Sequence, residues 1–88
     1  MHAVIFKVSI NKREDAEKHL KEQIVPRVSQ APGFIAGYWA HFDGDRGQSM
    51  IVFESEEAAR GVADNIDPPP DDIVTIESVE VGEVVASA

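Results

Sequence analysis

Cysteine is absent from this 88-residue chain. No disulfide can staple the fold, and no thiolate can hold a metal or attack a substrate. Positive charge is scarce: 8 lysines and arginines stand against 16 acidic residues, for a formal net charge of -8. That balance repels phosphate backbones and anionic lipid, and no basic patch offsets it, so neither nucleic acid nor a membrane surface is an expected partner. Long apolar runs are also missing. The longest are about four to six residues, against roughly 20 for a membrane-spanning helix. The start, Met1-His2-Ala3-Val4-Ile5-Phe6-Lys7, lacks the basic region and apolar core of a secretory signal, so a cytoplasmic location is expected. Three scattered histidines show no ligand spacing, and neither a metal site nor a cofactor is expected. Glycine-rich phosphate loops and nucleophile elbows are absent as well.

The remaining composition is that of an ordinary globular domain, 43% hydrophobic and 27% charged. Residues 1–88 make one domain. A chain this short buries only about 60–65% of its unfolded surface, and without disulfides a second copy is the readiest source of further burial.

The apolar pattern changes period along the chain. Val4, Phe6, Val8 and Ile10 alternate on one face of a strand over residues 3–10. Asn11 and Glu14 suit the start of a helix over residues 11–30. Ala16, Leu20, Ile24 and Val28 then repeat at four-residue spacing and predict a buried stripe. Pro26 should bend this helix, and Pro32-Gly33 should end it. Residues 34–42 read as a second strand, 43–47 as a hairpin loop, and 48–54 as a third strand. Ser55 caps a short second helix over residues 56–66, with Glu56 and Glu57 at its positive end. Gly61 either lets that helix approach the sheet closely or weakens it. Asp67-Pro68-Pro69-Pro70-Asp71-Asp72 is a stiff connector. Residues 73–85 form the last strand, with a break suggested at Gly82 and a terminal portion able to reach a partner.

The order βαββαβ is the ferredoxin-like, split βαβ pattern: an α+β fold with a four-stranded antiparallel sheet. Right-handed crossovers put both helices on one face. The other face is too apolar for water, and pairing it with the same face of a second copy makes a homodimer.

Several residues could carry chemistry. Trp39, the sole tryptophan, is either a flat wall for an aromatic ligand or a core or interface filler. Tyr38 points to the opposite sheet face, where its phenol could bond a ligand or sit at the rim. His41 shares a face with Trp39 and is the weak candidate for a catalytic base, although its place near the loop favours exposure. Arg27 falls near the helix stripe, where it could hold a phenolic or other anionic oxygen or simply snorkel to water. His19, four residues from Asp15, reads as half of a surface ion pair. The pairs Glu56-Glu57 and Asp71-Asp72 read as solvated surface.

The chain resembles the antibiotic biosynthesis monooxygenase-like proteins of the dimeric α/β-barrel superfamily. The resemblance rests on the long first helix with Pro26, Pro32-Gly33-Phe34, Gly37-Tyr38-Trp39, and Val52-Phe53-Glu54-Ser55-Glu56-Glu57-Ala58-Ala59. It spans nearly the whole chain. It implies a homodimer built as an α/β barrel, a pocket between helices and sheet in each subunit, and monooxygenase-like chemistry on a small aromatic or polycyclic substrate without a cofactor. The residues themselves support an alternative, because no pair among them is demanded by chemistry and unexplained by folding: a non-catalytic homodimeric domain that binds a small molecule or acts through association. The haem-degrading branch fits less well. Its asparagine on the first strand, tryptophan on the third and histidine on the second helix have no counterparts here.

Overall fold

The structure, a computed structural model, describes residues 1–65 and 73–88. The chain runs β1 (His2–Ile10), α1 (Arg13–His19), a π-helical stretch (Leu20–Ile24), α2 (Val25–Ser29), β2 (Phe34–Phe42), β3 (Arg46–Phe53), α3 (Glu56–Asp64) and β4 (Val74–Glu83). All pairings are antiparallel, in the spatial order β2-β3-β1-β4. This is the ferredoxin-like α+β architecture that the element order predicts. The proline-rich connector and the end of the second helix at residue 66 lie outside the described residues.

The first helix departs from a simple bent rod. Pro26 has no N–H for the carbonyl of Glu22, and its ring presses on that carbonyl in an α-helix. The preceding turn is wound as π-helix, which widens it, and Pro26 enters the first turn of a fresh α-helical segment. The N-terminus is also reassigned. Lys12 occupies the cap position without a side-chain bond, and Asn11 instead donates from Nδ2 to Thr75 Oγ1 at 3.2 Å. At α3 the expected cap is present: Ser55 Oγ accepts from the Ala58 N–H at 3.1 Å.

The hairpin is tighter than expected. Gly44 and Asp45 take positive φ, 80° and 59°, and Arg46 already pairs with Phe42. Gly47 is therefore a buried strand residue, not part of the turn. A Cβ there would lie 3.0 Å from Val8 Cγ2, so the missing side chain lets β1 residues cross over β3. Gly33 takes φ +81° after α2, as expected of a helix terminator, and its carbonyl accepts from the Glu54 N–H at 2.8 Å. Gly61 makes no close approach: a Cβ there meets nothing within 4 Å, so it only weakens α3.

Two interruptions shift register. Ile35 bulges from β2 between Phe34 and Ala36, and Glu77 bulges from β4 opposite Lys7 and Val8. Ser9 Oγ donates to the Glu77 carboxylate at 2.7 Å. Beyond β4 the Val84 N–H bonds the Met1 carbonyl at 2.9 Å.

The core on the helical face is split. One cluster joins Val4, Phe6, Ile51 and Phe53 to Ala59 of α3. A smaller one joins Ile10, Ala16 and Ile73. Val8 packs on both. The opposite face carries Tyr38, Met50 and Ile5 in one cross-strand row, and Ala36, Val52 and Ala3 in the next. Among the described residues no helix is long and apolar enough to cross a membrane.

Candidate functional site

Of the stripe Ala16, Leu20, Ile24 and Val28, only Ala16 is buried. The other three are half-buried because they face a cavity of about 300 Å³ between the first helix and the sheet. Phe6, Val8 and Ile51 line its sheet side, and Val62 of α3 lines another wall. The apolar helix stripe and the apolar sheet face are thus present as predicted, yet they do not close on each other. Volumes near this value lie at the small end of ligand sites, which are mostly apolar with a few placed polar groups.

Trp39 and His41 alternate on the inner face of β2, and both line the cavity. Trp39 lies over Gly37. A Cβ at Gly37 would come within 2.7 Å of the indole Cη2 and 2.9 Å of Cζ3. The bare backbone at Gly37 is what leaves room for the far edge of the indole. Gly37→Ala is therefore expected to push the ring off this position. Overpacking of this kind costs about 1–3 kcal/mol. Thermal denaturation should show the loss, and the tryptophan emission maximum should move; an unchanged spectrum and melting temperature would refute this role for Gly37.

His41 is less exposed than its place before the loop suggests. Its side chain is 20% accessible, and Nδ1 lies 3.4 Å from Glu17 Oε1 of α1. A side chain of α1 thus reaches the imidazole at the end of β2. With Nδ1 turned to the carboxylate, Nε2 is the remaining ring nitrogen. A carboxylate that orients an imidazole in this way is a recurring arrangement for a base. Arg27 of α2 also lines the cavity.

The structure therefore brings Trp39, His41 and Arg27 to one cavity and sets Tyr38 apart from it. Tyr38 is 71% exposed on the outer face. Sequence reasoning missed four participants. His19 lines the cavity instead of standing only on the surface, and Ser49 is buried at its floor. Glu17 gave no sequence signal of its own, and its contact with His41 joins residues 24 positions apart in the chain. Gly37 carried a usable signal, a glycine two positions before the sole tryptophan on one strand face. Among the described residues no group of three or more His, Asp or Glu side chains is placed to hold a metal ion.

The class defined by this geometry is a ferredoxin-like α+β domain with a cavity between helices and sheet. No family model matches the chain, and no curated protein matches it. Among solved structures, the crystal structure of HapK from Hahella chejuensis superposes with a TM-score of 0.72. The match covers 100% of this chain and 96% of that one, at 10% sequence identity. At that identity the likeness establishes the fold.

Proposed function

We propose that this protein is a homodimeric small-molecule-binding domain of the antibiotic biosynthesis monooxygenase-like type, whose cavity takes a small aromatic molecule. The observation that carries the reading is the open seam between two apolar surfaces, walled by the indole of Trp39. A core left unfilled forfeits van der Waals contacts, and a domain of this size has few to spare. A flat apolar ligand would restore them.

The His41–Glu17 contact favours a catalytic version of the same reading. In cofactor-independent oxygenation, His41 would take a proton from an activated methylene, or from a phenol whose para C–H carbon shares the resulting anion. Dioxygen would add at that carbon, and loss of its remaining C–H proton with cleavage of the O–O bond would leave a carbonyl there and release the second oxygen atom as water. The substrate supplies the electrons, and the apolar walls shield the anion from bulk water. A non-catalytic binder needs the same walls and none of the proton transfer.

A thermal-shift screen against two- and three-ring aromatics tests the binding reading. A ligand at 100 times its Kd stabilises by about 2.7 kcal/mol. For a domain of this size that raises the melting temperature by roughly 10–20 °C. A screen in which no compound raises it contradicts the reading. Oxygen uptake with the binding phenols, abolished in His41→Ala, would support catalysis; binding without uptake would support the non-catalytic alternative.

The homodimer reading rests on the outer sheet face. Tyr38 and Met50 are exposed and directly paired across β2 and β3, and Ile5 continues the row on β1. Phe42 adds to this face near the hairpin, with the Arg46 guanidinium 5.9 Å from its ring centre. A second copy laid on this face would bury these side chains and complete a barrel.

A further inference from the structure

We infer that Ser49 is the polar anchor of this cavity, and that its hydroxyl bonds a hydroxyl carried on the ring of the aromatic ligand. The inference rests on the cavity being a ligand site, and it adds the residue that fixes the ligand's orientation. Ser49 lies on the inner face of β3 with Ile51 and Phe53, and it is only 6% exposed. Its two partners in the cross-strand row are aromatic: Trp39 on β2 and Phe6 on β1. All three line the cavity. Two strand spacings separate the Trp39 and Phe6 backbones by about 10 Å. The small serine between them leaves a gap in the row, and the gap ends in a hydroxyl.

The fold makes no use of that hydroxyl. Among the described residues Ser49 Oγ forms no hydrogen bond. His2 Nδ1 is the described side-chain atom that is both unbonded and sealed from solvent. Ser49 Oγ, equally unbonded, is not sealed, and its opening is the cavity that Ser49 lines. Burying a hydroxyl without a partner is unfavourable, and an alanine in the same place would escape that cost. A polar group of this kind on an otherwise apolar wall is how ligand sites fix orientation. A serine both donates and accepts, which matches another hydroxyl. It carries no charge, so it suits an uncharged oxygen better than an ion leaving water. His41 stands in the adjacent row, opposite Gly47, a diagonal neighbour of Ser49 at roughly 7–8 Å. Holding the oxygen at Ser49 therefore fixes which edge of the ring faces the imidazole.

Matched probes isolate the hydroxyl from the ring. The ¹⁵N-labelled protein and its Ser49→Ala variant are titrated with 2-naphthol and with 2-methylnaphthalene, followed by amide and indole N–H shifts. Both probes should move the Trp39 indole and the Gly47 and Val62 amides. Ser49→Ala should weaken 2-naphthol and leave 2-methylnaphthalene unchanged or tighter. The ratio of the two affinities should therefore change about tenfold, equivalent to about 1.4 kcal/mol. The melting temperature of the ligand-free variant should be unchanged or higher, because no bond within the protein is lost. The spectrum of the variant reports directly that it is folded. A ratio that Ser49→Ala leaves unchanged would overturn the role of Ser49 while leaving the cavity as a ligand site. A clear fall in the ligand-free melting temperature would also overturn it, by showing that the hydroxyl holds the fold. If neither probe shifts the cavity residues, both readings fail together.

Discussion

Phe53→Ala is expected to destabilise the domain by about 3–5 kcal/mol, the usual cost of truncating a fully buried phenylalanine. Its side chain is 0% exposed at the end of β3. It packs with Val4, Phe6 and Ile51 and against Ala59 of α3, and it meets Phe34 edge-on at 6.2 Å between ring centres. Removing it takes away one of the side chains that α3 packs on. Since small domains have only about 5–15 kcal/mol in total, much of the variant should be unfolded by mild denaturant. Urea unfolding followed by circular dichroism measures the change. A loss below 1 kcal/mol would mean that the cluster around Ala59 does not hold the helical layer. The contrast with Trp39 is informative. Phe53 sits in the packed half of the helical face, whereas Trp39 borders the cavity, so Trp39→Ala should cost less stability and more ligand affinity.

The second large effect is on assembly. Met50→Glu is expected to convert the proposed dimer into a monomer, weakening self-association at least a hundredfold. Met50 lies in the middle strands of the outer face, between Tyr38 and Ile5. In a two-fold dimer through this face, one substitution introduces two carboxylates into a desolvated interface, and both lack partners. The single-subunit fold should survive, because Met50 is exposed and touches none of the helical-face core. Sedimentation equilibrium reads the association, and circular dichroism confirms the fold. A variant that remains dimeric with unchanged affinity would rule out this face as the interface.

Much of the architecture was written in local patterns. Alternation in residues 4–10 marks β1, and Ser55 with its two glutamates marks the start of α3. Pro32-Gly33 marks the first helix's end, because a residue before proline avoids the helix and glycine accepts a positive φ. The π-helical stretch was not legible in detail. Pro26 signals a disturbed helix, but local spacing does not record whether the chain bends or widens there.

The site was legible only in parts. Trp39 and His41 share a face by strand periodicity, and helix phase brings Arg27 near them. The cavity itself could not be read, because a buried stripe and a stripe facing a void have the same spacing. Only the position of the helix over the sheet separates them. The Glu17–His41 contact was hidden for a related reason, since it depends on the crossing of α1 over the end of β2. Asn11 shows the reverse failure. Its local signal fits a cap, and a tertiary partner, Thr75, holds its side chain instead.

Native mass spectrometry of the untagged protein, with 2-naphthol and 2-methylnaphthalene present in excess, tests the central claim most directly. The account predicts a dimer that takes up one small aromatic molecule per subunit. A monomer at micromolar concentration would contradict the pairing of outer sheet faces, and a dimer that takes up neither molecule would contradict the cavity's role.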